Sequence, residues 1–211
     1  MLTLTFIRHG QTDCSLEDRF CGSIDIPLNE TGEQMARVLA DAYSTESWAA
    51  LYSSPLLRAR YTVEPLAKRL GMEVQVLDGL REIGYGDWEG LQSSEIHQKF
   101  PAEMAAWAAD PERVPPPGGE TAAQLSARAM AAVQLIRDLH ADGHVLAVAH
   151  KATIRVIVCA LLGIDVGLYR MRVAQGVGAA TSFQFKDTGP LLLTLNDASM
   201  LPPHLRHVGG T

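Results

Sequence analysis

Long apolar runs are missing from this chain. No stretch approaches the ~18 residues that a membrane-crossing helix needs. The first residues do not place a basic region ahead of an apolar one, so no secretory leader is expected either. Cysteine is scarce: Cys14, Cys21 and Cys159 are the whole complement. The number is odd and there is no Cys-x-x-Cys pair, which argues against a zinc site and for thiols in a reducing, cytoplasmic setting. Clusters of Lys and Arg are absent, and 18 basic against 24 acidic side chains give a formal net charge of −6. That balance argues against general nucleic-acid binding, while leaving room for a basic pocket inside an acidic protein. There is no internal repeat. The stiff segment Pro115-Pro116-Pro117-Gly118-Gly119 is too short and too central to be a linker. At 211 residues the expectation is one domain over 1–211, large enough for a substantial core.

What is present is organised around strand ends. Leu2 to Ile7 is an apolar, β-branched run that reads as a buried strand and leads straight into Arg8-His9-Gly10. His144 to Ala149 reads as a second buried strand, followed by His150. Further strands are expected at 49–52, 73–77, 180–186 and 191–196. Helices are expected after the Thr31–Gln34 capping box, from Ser54-Pro55 to Leu70, from about Ser94 to Pro101, on to Ala109, after the Thr121–Gln124 capping box, and over 152–162. Residues 8–30 form a long polar segment, of a kind that in compact domains is usually functional. Residues 198–211 carry little pattern and read as a surface tail. Strands alternating with helices indicate an α/β fold, a three-layer α/β/α sandwich with a central, mostly parallel sheet.

In such sheets ligands bind at the carboxyl ends of the strands, where Arg8, His9 and His150 stand. If the two strands are neighbours, two imidazoles and a guanidinium meet at one point. That set suits phosphoryl transfer, with one His as nucleophile and the other stabilising charge. Each residue alone has a plainer explanation. A single His at a strand end is usually structural, Arg8 could be a surface charge, and Trp88 reads as packing. Glu82 and Glu89 could be solvated. Arg58 is more pointed, because a cation in the first turn of a helix opposes the macrodipole and so asks for an anion.

Taken in order, the motifs resemble those of the histidine phosphatase superfamily, in the branch that contains the cofactor-dependent phosphoglycerate mutases. Arg8-His9-Gly10-Gln11-Thr12, Arg19 with Gly22, and Pro27-Leu28-Asn29-Glu30-Thr31-Gly32 resemble the family's opening. Ser53 to Ala59 resembles the second-arginine motif, and Leu80-Arg81-Glu82-Ile83 through Gly86-Asp87-Trp88-Glu89-Gly90 the acid-bearing loop. Pro117 to Thr121 and Val148-Ala149-His150-Lys151 with Ile154-Arg155 complete the set. The likeness spans residues 2 to 163. It departs at Ser15 (usually Asn), Cys21 (often Gln), Ala149 (usually Ser) and Lys151 (usually Gly). Lys151 would add charge if it faced the pocket; the plainer expectation turns it toward solvent.

The resemblance implies a metal-independent phosphomonoesterase without cofactor. His9 attacks phosphorus, its second ring nitrogen donating to a backbone carbonyl. Arg8, Arg58 and His150 hold the phosphoryl oxygens, and Glu82 is the acid and then the base. Thr12, Ser15, Cys21, Gly22 and Lys151 are candidate substrate contacts. A small phosphorylated metabolite is the expected partner, with no nucleic acid and no membrane; a homodimer is the prior for oligomeric state. The rival readings are a phosphoglycerate mutase, a phosphatase specific for phosphoserine, and an inactive phospho-ligand binding module. Residues 91–118 carry only Lys99 and Arg113 as cations, where the resemblance places a longer basic insertion in the mutases. That favours hydrolysis, and the full set His9, Arg58, Glu82 and His150 argues against an inactive module.

Overall fold

The computed structural model describes residues 1–206. In chain order the elements are β1 (Leu2–Arg8), α1 (Asp13–Leu16), α2 (Glu30–Tyr43), β2 (Ala50–Ser53), α3 (Leu57–Leu70), β3 (Val74–Val76), α4 (Ser93–Lys99), α5 (Pro101–Ala109), α6 (Ala122–Leu139), β4 (Gly143–Ala149), α7 (Lys151–Leu162), α8 (Tyr169–Arg172), β5 (Ala180–Lys186), β6 (Gly189–Asp197) and α9 (Pro203–Arg206). The sheet order is β3-β2-β4-β1-β5-β6. The first three of its five pairings are parallel and the last two antiparallel.

The alternation of β1 and β4 builds the layers. Leu4, Phe6, Val145 and Ala147 point to one face and pack with α6 and α7. Ile7, Leu146 and Val148 point to the other and pack with α2 and α3. With both faces covered, the central strands are apolar throughout, as parallel strands require. The register pairs Ile7 with Val148 and Arg8 with Ala149. His9 and His150 therefore leave neighbouring strands side by side, and His9 N donates to Ala149 O at 3.1 Å.

Four local expectations are corrected. The Asn29 side chain caps α2 by accepting from Gly32 N, so the Thr31–Gln34 box is not the start. Ser54 does not cap α3 through its side chain; Leu57 N donates to Asp25 Oδ1 at 2.7 Å instead. The polar segment 8–30 contains α1, whose Cys14 pairs with Cys21 of the following loop as a disulfide; free thiols were expected at both. Cys159 alone is free, and it is buried. Leu201 and Leu205 are buried against the α2 and α3 layer, so the segment up to Arg206 is docked rather than a surface tail; residues 207–211 lie outside the described residues. The Thr121–Gln124 capping box is formed as expected. No helix among the described residues is long and apolar enough to cross a membrane.

Candidate active site

A cavity of about 110 Å³ opens at the carboxyl ends of β1 and β4. It is lined by Arg8, His9, Thr12, Ser15, Cys21, Gly22, Arg58, Glu82 and Lys151 from the sequence reading, together with Cys14, Asp18, Arg19, Phe20 and Tyr85. His150 stands behind His9, with ring centroids 5.1 Å apart and planes tilted by 56°. Arg8, His9, Arg58 and His150 are all buried, and so are held in place by packing rather than by solvent.

The His9 ring is oriented by its own neighbour. Nδ1 lies 2.7 Å from Gly10 O. A carbonyl only accepts, so Nδ1 carries the proton and Nε2 keeps its lone pair. Gly10 N in turn donates to Thr62 Oγ1 at 2.9 Å, and Thr62 Oγ1 donates to Arg58 O at 2.7 Å. His150 has the opposite tautomer. Arg58 Nε donates to its Nδ1 at 3.2 Å, which leaves Nε2 as the protonated nitrogen, 2.7 Å from Ser54 Oγ. Ser54, expected as a helix cap, is thus a positioning residue for His150.

Arg58 spans the site. Beyond His150, its Nη1 donates to Ile24 O at 2.8 Å and its Nη2 to Gly22 O at 2.7 Å. Gly22 has φ +22°, and a Cβ there would sit 2.7 Å from Ile83 O. Glycine is what lets this loop reach both Arg58 and the acid-bearing segment. Arg8 Nη1 donates to Gln175 O at 2.9 Å. Thr12 and Ser15 satisfy one another in the α1 capping box, and the Ser15 hydroxyl donates to Thr12 O at 2.9 Å. Cys21 has no thiol to donate, being joined to Cys14.

Glu82 is held at the amino end of α7. Ala152 N and Thr153 N each donate to its carboxylate at 3.2 Å, and Ile83 N donates at 3.0 Å. Carboxylates are favoured where helix amides are unpaired. Its loop is fixed by Arg128 of α6, which sequence reasoning did not find. Arg128 makes a two-pronged contact with Glu120 at 2.8 Å for each prong. It also donates to the carbonyls of Gly79, Arg81 and Glu82 at 3.1, 2.8 and 2.9 Å. The only hint was a basic residue two turns into the helix after Gly119-Glu120. Glu89 lies outside the small cavity and ties Ser23 to Tyr85 N. Trp88 is buried in a cluster with Trp107, Ile96 and Met104, as a packing residue should be.

Lys151 lines the cavity and does not turn to bulk solvent. Burial, then Arg8 and Arg155, push its ammonium down to about 7. His9 and His150 are both held well below the usual imidazole range, first by burial and then by Arg58. A pH dependence of stability follows. Below pH ~6.5 the unfolded imidazoles take up protons that the folded ones do not. Stability is therefore complete above that pH and falls on acidification, by up to about 1.4 kcal/mol per pH unit for each histidine. Urea unfolding midpoints between pH 7.5 and 5.5 should show it, and His9→Ala should flatten the slope. An unchanged slope would contradict a neutral His9.

The family model of the histidine phosphatase superfamily (branch 1) matches residues 4–198. Phosphoserine phosphatase 1 of Hydrogenobacter thermophilus is 32% identical over 169 residues, 80% of each chain. Glucosyl-3-phosphoglycerate phosphatase of Mycobacterium tuberculosis is 33% identical over 174 residues, 77% of this chain and 76% of that one. Among solved structures, Bacillus stearothermophilus YhfR superposes with a TM-score of 0.88 at 29% identity, over 95% of this chain and 99% of that chain. The strand-end histidines and the matches over most of the chain agree: this protein belongs to the histidine phosphatase superfamily, branch 1, and is a phosphatase of that family.

Proposed function

We propose that the protein hydrolyses small phosphomonoesters through a phosphohistidine on His9, without a metal. The observation that carries this reading is the His9 ring, with Nδ1–H fixed on Gly10 O at 2.7 Å and Nε2 left as the nucleophilic nitrogen among Arg8, Arg58 and His150. Nε2 attacks phosphorus in line, the P–O bond to the alcohol breaks, and Glu82 in its protonated form gives the leaving oxygen a proton. Water then attacks the phosphohistidine, Glu82 takes its proton, and inorganic phosphate leaves His9 as it began. Arg8 and Arg58 supply the positive charge against which the phosphoryl oxygens are stabilised. A phosphate dianion in the pocket favours a proton on His150, and a proton on Nδ1 would take the place of the bond that Arg58 Nε–H makes there.

The relatives' names concern phosphoserine and glucosyl-3-phosphoglycerate, both small phosphorylated metabolites, and the scale of the cavity suits that class. Hydrolysis is favoured over mutase chemistry by the few cations in 91–118. Phosphate release from phosphoserine, 3-phosphoglycerate, sugar phosphates and p-nitrophenyl phosphate, with EDTA present, tests the proposal. Activity is expected to survive EDTA, because among the described residues no three His, Cys, Asp or Glu side chains gather in a metal-binding group. Loss with EDTA and recovery with magnesium would overturn metal independence. Isomerisation of 3-phosphoglycerate in place of phosphate release would restore the mutase.

A further inference from the structure

A second cavity of about 560 Å³ adjoins the phosphate pocket, and the two share Asp18, Phe20, Tyr85 and Lys151 as common wall. The alcohol part of an ester bound at His9 has this space beside it. Its walls are cationic. Lys151 and Arg155 are four residues apart in α7 and so project from one helix face, and Arg170 stacks on Trp107 with its guanidinium carbon 4.0 Å from the ring centroid. Some basic side chains elsewhere pair with carboxylates, as Arg128 does with Glu120 and Arg113 with Asp110. Lys151, Arg155 and Arg170 make no ion pair among the described residues. Three polar atoms of the lining residues, Arg155 Nε, Tyr169 Oη and Trp107 Nε1, are buried without a hydrogen-bond partner among the described residues. Asp18, the carboxylate that lines the cavity, is exposed.

Unpaired cations and unused donors gathered in one cavity call for an anionic acceptor. We infer that Lys151 and Arg155 form a subsite for a carboxylate on the alcohol part of the substrate, so that the preferred esters are phosphates of short hydroxy acids. This rests on the phosphatase reading of the adjoining pocket. A carboxylate is favoured over a second phosphate because Lys151 borders both cavities. The second anion then lies close to the reacting phosphate, where a dianion would be repelled more strongly than a monoanion. Lys151 is also where this chain differs from the Gly that the family resemblance places after the second histidine.

The test uses matched pairs differing in the carboxylate: phosphoserine against phosphoethanolamine, and 3-phosphoglycerate against glycerol 3-phosphate. In the wild type, kcat/KM should favour the carboxylated member roughly 10- to 100-fold, the worth of one charge-assisted contact. Lys151→Met and Arg155→Gln should each shrink that ratio, and Arg155→Lys should restore part of it. A ratio near one in the wild type, or one that persists in both variants, overturns the subsite. A higher kcat/KM for ethylene glycol bisphosphate than for phosphoglycolate overturns the choice of carboxylate. If no ester is turned over, the phosphatase reading has failed. Calorimetric binding of the same pairs to His9→Ala then still decides the subsite, by the presence or absence of the same preference in Kd.

Discussion

His9→Ala is expected to lose turnover altogether, by a factor on the order of 10⁶, the scale seen when the nucleophile of a covalent mechanism is removed. The reason is local. Gly10 O fixes the tautomer of this ring alone, while both nitrogens of His150 already face Arg58 and Ser54. His150 therefore has no free nitrogen with which to substitute. Wild-type enzyme quenched during turnover should carry phosphate on His9 that is labile in acid and stable in alkali. The variant should carry none, yet should still bind phosphate through Arg8 and Arg58. Folding is checked by the unfolding midpoint at pH 7.5. Normal turnover by His9→Ala would end the phosphohistidine reading.

Glu82→Gln should lower the rate on alkyl phosphates by ~10²–10⁴-fold, the usual range for general acid–base catalysis. The acid matters most where the leaving group is poor. p-Nitrophenolate leaves without a proton, so its burst in a single turnover should be much less affected. Dephosphorylation suffers in both cases, because water then lacks its base, and steady-state rates alone would hide the contrast. The substitution also touches the fold. Glu82 accepts from Ala152 N, Thr153 N and Ile83 N, and a glutamine amide can meet those donors with one oxygen only. A modest loss of stability at the amino end of α7 should accompany the kinetic effect. An equal burst loss on both substrates would remove Glu82 from the acid role. Glu89 would not inherit it easily, since Ser23 and Tyr85 already occupy its carboxylate.

The sheet was legible because its information is local. LTLTFI and HVLAVA can hardly be anything but buried strands, and a residue that ends such a strand is placed at the sheet edge by topology alone. That is why the sequence places His9 and His150 at strand ends, and side by side if the two strands are neighbours. The errors share the opposite property. Ser54-Pro55 has the form of a helix start, but the Ser54 partner is His150, 96 residues on, and a tertiary bond outweighed the local cap. Cys14 and Cys21 come together because the chain folds back after α1, where Arg19 N donates to Cys14 O. Leu201 and Leu205 have helical spacing, but two residues are too few to mark a docked segment. The fate of Lys151 depended on α7 beginning at that residue. The larger cavity draws its walls from segments around Phe20, Tyr85, Trp107, Arg155 and Tyr169, and no window of sequence contains it.

The pairing of β1 with β4 ties catalysis to folding kinetics. Seven consecutive partners, from Leu2 with Gly143 to Arg8 with Ala149, fix where His150 stands relative to His9. Their ring separation of 5.1 Å is close to the ~4.8 Å between neighbouring strands. A slip of one residue would move His150 by ~3.3 Å along the strand and invert the faces of β4. No partly registered sheet can therefore be partly active. The strands are far apart in sequence, Leu2 pairing with Gly143, so the contact closes a long loop, and such contacts are slow to form. In refolding from urea, helical signal should return well before phosphatase activity, and activity should appear in step with protection of the β1 and β4 amides from hydrogen exchange.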